Sequence, residues 1–321
     1  MKKNLILVIF ILLAITLPAQ ENNAVKFELH WFPQAQFAGY IMAAEKGFYE
    51  DAGLNVALYF SDGSDSPLQK LADREIDFCT AWLSQTIALR SAGMKIVNTC
   101  QILQKSSLLL MAKKESGITS PQDLNGRRIG LWSGDFSIQP KAFFNKYDIE
   151  CQEVRQSYNI HGFLADAWEV ASAMRYNEYY KIILSGIDED ELVTFSYADY
   201  DLNFPEDGIY TCQKTWQQQP EICGKICSAS LKGWEYAFQN EEEALQIILK
   251  YCDEYKMQTN YAAQKWMLEV IEESIKYQCG DDPESWGKLK IEDYNRVTGI
   301  LLDQKIISSV PDFADFYRGE K

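Results

Sequence analysis

Five short stretches carry aromatic rings, small polar groups or both: His30-Trp31-Phe32, Ser61-Asp62-Gly63-Ser64-Asp65, Trp82 with Ser84, Trp132-Ser133-Gly134-Asp135 and Ser157-Tyr158-Asn159. Indole and phenol faces stack on flat rings, each pair contributing ~0.5–1.5 kcal/mol beyond area burial. Imidazole, hydroxyl and carboxylate groups supply the few directional hydrogen bonds that fix a ligand's edge. The chemistry these residues suit is recognition of a small heteroaromatic molecule. Catalytic patterns do not accompany them. There is no Gly-x-Ser-x-Gly elbow and no His-Glu-x-x-His helix. His30 and His161 are the only histidines, too few for most histidine-rich metal sites. In the LWSGDF loop Asp135 stands where a phosphate would be repelled, so the expected ligand is unphosphorylated and neutral or cationic.

The elements that must hold these stretches alternate along the chain. MKKNLILVIFILLAITLPAQ has a basic start, an apolar run and Pro-Ala-Gln, the pattern of a secretory signal peptide spanning residues 1–19. No cysteine lies near the cleavage point, so a lipid-modified N-terminus is not expected and the exported chain should be soluble. Removing those residues takes two of the 31 basic residues and none of the 46 acidic ones, leaving 29 against 46, a net charge of −17. So acidic a surface argues against nucleic acid and anionic membrane as partners.

From Val25 onward, strand-like KFELHW, LNVALYF, IDFCTAWL and KIVNTCQIL are separated by helix-like segments at 38–50, 66–75 and 84–93. Ser66 as N-cap and Pro67 at the first position open the second of these helices. Repeated β-α-β units predict a mostly parallel sheet flanked by helices. A second α/β unit follows, with the strands RRIGLW and CQEVRQ and helices at 138–147, near 160–166 and from Asn177. Four long amphipathic helices then fill 221–304. Residues 20–112 and 206–321 are expected to form one discontinuous lobe and 113–205 the other, joined near Leu110–Lys114 and Phe204–Tyr210. In open α/β sheets ligands sit beyond the carboxyl ends of the strands, where these five stretches fall.

The eight cysteines show no repeating spacing, and Cys79, Cys100 and Cys252 lie inside apolar runs, so most are expected to be buried free thiols. Cys223 and Cys227 are one helical turn apart, but no second Cys or His pair accompanies them to complete a zinc site.

The string WFPQAQFAGYIMAAEKGFYEDAGLNV resembles the start of the solute-binding proteins that serve thiamine-pyrimidine and riboflavin-type importers. SDGSDSPLQKLADREIDFC, SGITSPQDLNGRRIG, MRYNEYY and SLKGWEYAFQNEEEALQIILKY match later segments in order, over about residues 26–316. The resemblance implies a two-lobed type II periplasmic-binding-protein fold and delivery of a small molecule to an ABC transporter permease by a monomer without cofactor. Among the residues it implies for the site are Gln36, Tyr176 as a wall and Glu178 as acceptor for a ligand amino group. Members that bind a formylaminopyrimidine carry Asn before the tryptophan, where this chain has His30. The fold is also similar to that of eukaryotic pyrimidine synthases, which use a Lys for pyridoxal phosphate and their own His as reactant. Alignment on Asp77-Phe78 sets Ala81 and Gln85 at those positions, which removes the amine and the imidazole. A sensing module that uses the same clamp without transport is the third reading.

Overall fold

The computed structural model describes residues 24–319. The expected signal peptide, residues 1–19, lies outside them. The chain first lays down β1 (Val25–Leu29), β2 (Val56–Phe60), β3 (Phe78–Trp82) and β4 (Ile96–Gln101). It then crosses to a second sheet of β5 (Leu108–Lys113), β6 (Arg128–Leu131), β7 (Gln152–Arg155), β8 (Val170–Met174) and β9 (Leu192–Ser196), and returns as β10 (Asp207–Cys212). The orders are β2-β1-β3-β10-β4 and β7-β6-β8-β5-β9.

Each sheet is mixed. β1 pairs parallel with β2 and β3, whereas β10 runs antiparallel to both β3 and β4. In the second sheet β6 pairs parallel with β7 and β8, and β5 runs antiparallel to β8 and β9. Four strands of each sheet therefore point one way. The reversed strand is in each case the one that has just arrived from the other lobe. Repeated β-α-β units announced the parallel strands but not this insertion, because direction is set by where the chain enters the sheet. The first crossing runs through 102–107, before β5, and not after residue 112 as the sequence suggested. The return runs through 201–206.

This topology aims the site. The chain leaves each sheet at the carboxyl end of an outer strand (β4 or β9) and enters the other at the amino end of its reversed strand. Both sheets therefore turn the carboxyl ends of their four like-directed strands toward the same two connections.

Local sequence accounts for most helices. The Ser66 side chain accepts from Gln69 N, with Pro67 at the first position of helix Pro67–Asp73. The expected 38–50 helix is two pieces, Ala38–Glu45 and Phe48–Asp51. Helices Pro220–Gln239, Glu241–Glu254, Tyr261–Lys276 and Ile291–Asp303 form the C-terminal layer. The first of these crosses Ala38–Glu45 at a pair of glycines. A Cβ on Gly39 would strike the fully buried Trp234 ring, and one on Gly233 would strike the Gly39 carbonyl. The two helix backbones touch there, and no larger residue fits.

The cysteine reading needs correction at one pair. Cys100 on β4 and Cys227 on helix Pro220–Gln239 form a disulfide, with Cα atoms 5.8 Å apart. Six thiols stay free, among them the buried Cys79, Cys223 and Cys252. Among the described residues no helix is long and apolar enough to cross a membrane.

Candidate functional site: an aromatic cleft between the lobes

A cavity of about 360 Å³ opens between the facing sheet edges, within the range of small-molecule sites. Nine residues singled out from the sequence line it: His30, Trp31, Phe32, Gln36, Trp82, Trp132, Tyr158, Tyr176 and Glu178. Trp31 and Phe32 follow β1 directly, Trp82 ends β3, Trp132 follows β6 and Tyr158 lies beyond β7. Each ring thus starts where a strand stops.

The rings meet across the cleft. Trp31 of the first lobe and Tyr158 of the second have centroids 6.0 Å apart, and Trp82 stands 4.8 Å from Phe136. Trp132 lies 5.5 Å from Phe136 and 5.8 Å from Tyr158. Phe136, in the LWSGDF loop, completes this box although sequence reading passed over it. Its position one residue beyond Asp135 was the available signal.

Three singled-out residues do not line the cavity. Asp62 Oδ1 accepts from Ser64 N at 2.8 Å, and the single Ser64 hydroxyl proton lies between Asp62 Oδ1 at 2.5 Å and Asp65 Oδ1 at 2.6 Å. The loop is exposed and hydrogen-bonded to itself, and it meets the site through Gly63 under the Trp31 indole. Ser84 is buried within helix Leu83–Ser91.

His30 lines the cleft with its Nδ1 occupied. Thr80 Oγ1 accepts the His30 backbone N–H at 3.0 Å and lies 2.8 Å from Nδ1. A hydroxyl already accepting the amide is free to donate its own proton, which leaves Nδ1 as acceptor and the proton on Nε2. Nε2 lies 3.5 Å from Asp207 Oδ1, and Gln36 Nε2 donates to Asp207 Oδ2 at 2.8 Å. Asp207, paired with Trp82 at the start of β10, was not found from the sequence, since the fold brings it to β1 and β3. Gln36 thus holds Asp207 by Oδ2, while His30 stands beside an Oδ1 that makes no hydrogen bond.

Of three buried carboxyl groups in this region only Glu178 lines the cavity, while Glu206 and Asp207 lie outside its lining. Burial raises the pKa of Glu178, and Lys181 and the Met174 amide oppose that rise. Glu206 is pushed well up by burial and then by neighbouring Asp207. Burial likewise raises Asp207, against the pull of His30 and Gln36. The Tyr176 phenol, raised by burial, lies within the field of all three.

The far wall comes from residues the sequence did not suggest. Asn177, Tyr180, Lys181 and Leu184 of the second lobe face Cys252, Met257, Gln258, Thr259, Asn260, Gln264 and Met267 of the C-terminal layer. Cys252 is no nucleophile: its thiol donates to Pro33 O at 3.2 Å, and burial pushes its pKa up to about 11. Among the described residues no group of three His, Cys, Asp or Glu side chains can hold a metal ion.

Known proteins are similar to this chain in sequence and in fold. A riboflavin-binding protein RibY of Chloroflexus aurantiacus is 24% identical over 297 residues, covering 86% of this chain and 81% of its own. A formylaminopyrimidine-binding protein of Halalkalibacterium halodurans is 23% identical over 297 residues, covering 88% and 89%. Among solved structures, the periplasmic aliphatic sulphonate-binding protein SsuA of Escherichia coli superimposes with a TM-score of 0.72 at 10% identity, covering 91% of each chain. That likeness identifies the two-lobed periplasmic-binding-protein fold. The family model described as NMT1/THI5 like matches residues 34–244, from the first aromatic loop into the C-terminal helices, and the chain belongs to that family.

Proposed function

We propose that the chain is an exported solute-binding protein that captures a small heteroaromatic ligand, of the thiamine-pyrimidine-precursor kind, and delivers it to the permease of an ABC importer. The observation that carries this reading is the ring box of Trp31, Trp82, Trp132, Phe136 and Tyr158, built from both lobes around one cavity. A flat guest entering between these faces gains stacking on both sides and bridges the lobes. Glu178 and Tyr176 on the floor supply acceptor and donor for its polar edge. The names of the riboflavin- and formylaminopyrimidine-binding relatives support the same class of ligand.

The two lobes, joined only by the crossings at 102–107 and 201–206, act as a monomeric hinged clamp. Closure changes the face offered to the permease, which is how such a protein signals that it is loaded. Catalysis of the pyrimidine-synthase type is disfavoured. Ala81 on β3 and Gln85 on the helix after it carry neither the amine nor the imidazole that chemistry needs.

Calorimetric titration with formylaminopyrimidine, its phosphorylated analogue and riboflavin tests the proposal. Tighter binding of an unphosphorylated ring supports it. Tighter binding of the phosphate, or no heat with any of the three, refutes it.

A further inference from the structure

Beside the ring box, the lobes also meet where the C-terminal layer packs on the second lobe. Trp266, on helix Tyr261–Lys276, lies flat on Tyr180 of the second lobe, with centroids 4.7 Å apart and planes 6° from parallel. Its Nε1–H donates to Arg175 O at 2.8 Å. The Arg175 guanidinium sits 5.9 Å from the indole and pairs with Glu273, one turn beyond Val270 on the same helix.

The other end of that helix is fastened to the first crossing. Ser274 O accepts from Gln104 N at 3.2 Å, and Ser274 Oγ donates to Lys105 O at 2.9 Å. Arg175 N donates to Ser107 O, which ties the base of the second lobe to the same connection. Trp266 precedes Ser274 by eight residues, about 12 Å along a helix rising 1.5 Å per residue. The helix is thus a lever held at the hinge, with its grip on the second lobe well out along the arm. An opening rotation of the second lobe about the two crossings would carry Tyr180 off the Trp266 ring.

Trp266 does not line the cavity, but Met267 beside it and Tyr180 beneath it do. We infer that Trp266 is a positioning residue, a latch whose stack on Tyr180 favours the closed arrangement of the lobes before any ligand arrives. This rests on reading the protein as a hinged ligand-binding clamp. A contact made only in the closed form raises the closed population, and apparent affinity rises in proportion to that population.

Small-angle scattering of the ligand-free protein gives the direct test, on wild type, W266A, W266F and Y180A. W266A and Y180A are expected to increase the radius of gyration while still melting cooperatively. W266F keeps a ring on Tyr180 and is expected to restore the wild-type value. With formylaminopyrimidine or riboflavin as probe, W266A is expected to dissociate about tenfold faster with little change in association. A cooperatively folded W266A or Y180A with the wild-type radius of gyration overturns the latch. Should neither probe bind wild type, the ligand assignment fails, and the ligand-free scattering still decides the latch.

Discussion

Gly63, at φ +79°, lies beneath the Trp31 indole, so close that a Cβ built on it would stand 2.5 Å from a ring carbon. The second-strand loop, whose carboxylates looked like ligand groups, serves the cleft by making room. Trp31 is held from below by a residue without a side chain and faced across the cleft by Tyr158.

Trp31→Ala is expected to lower ligand affinity by ~1–3 kcal/mol with melting unchanged, through lost stacking and burial. Gly63→Ala should cost ~1–2 kcal/mol of stability from the left-handed backbone alone, and it should weaken binding because the indole must move. Titration paired with thermal melts separates the two effects. Wild-type affinity in Trp31→Ala removes the residue from the site.

Glu206 is wholly buried. Its Oε1 accepts from Ser107 N at 2.5 Å and Ser106 Oγ at 3.2 Å, while Oε2 has no partner. Because burial raises its pKa above that of the unfolded chain, the fold binds its proton more tightly. The stability it adds is complete below the ordinary carboxylate range and is lost as pH rises through the raised value. E206Q keeps the accepting oxygen without the charge. It should match wild type near pH 4 and exceed it by ~1–3 kcal/mol at pH 8, the cost of an unsatisfied buried group. Equal stability at pH 8 in denaturant melts would contradict this.

The Cys100–Cys227 disulfide spans 127 residues. Closing so long a loop limits the unfolded chain, and replacing both cysteines by serine should cost ~3–5 kcal/mol. Alkylation of the denatured protein before and after reduction should differ by two thiols. An unchanged count shows that the pair is not bonded.

Gly233→Ala puts a methyl group against the Gly39 carbonyl. Because both contacting atoms belong to helix backbones, relief requires the helices to separate, and a loss of at least ~1–3 kcal/mol is expected. A melt within 0.5 kcal/mol of wild type, as for ordinary surface changes, would mean that the crossing is loose.

What the sequence disclosed follows from the range of the interactions involved. Ser66 and Pro67 read correctly because a cap acts within one turn. The rings at 31, 82, 132 and 158 were legible because each follows a strand that its own periodicity reveals. DGIYTC reads as a strand in either direction, so nothing local says that β10 runs backward between β3 and β4. The partners of His30, Thr80 and Asp207, come from two other strands. Met257 to Asn260 look like an ordinary polar turn until helix packing brings them against Lys181 and Leu184. Cys100 resembles any buried thiol until helix Pro220–Gln239 lands beside it.

The insertion of β10 between β3 and β4 also bears on how the molecule comes into being. The second sheet is complete within residues 108–196, whereas the first waits for a strand that arrives last. The gap between β3 and β4 must stay open until residue 212 is available, a pairing of high sequence separation and hence slow. Pulsed hydrogen exchange during refolding should protect β6 and β8 before β3 and β4, and simultaneous protection would rule this order out. For the export proposed above, a chain that is slow to finish its first half would have time to be threaded across a membrane while still extended.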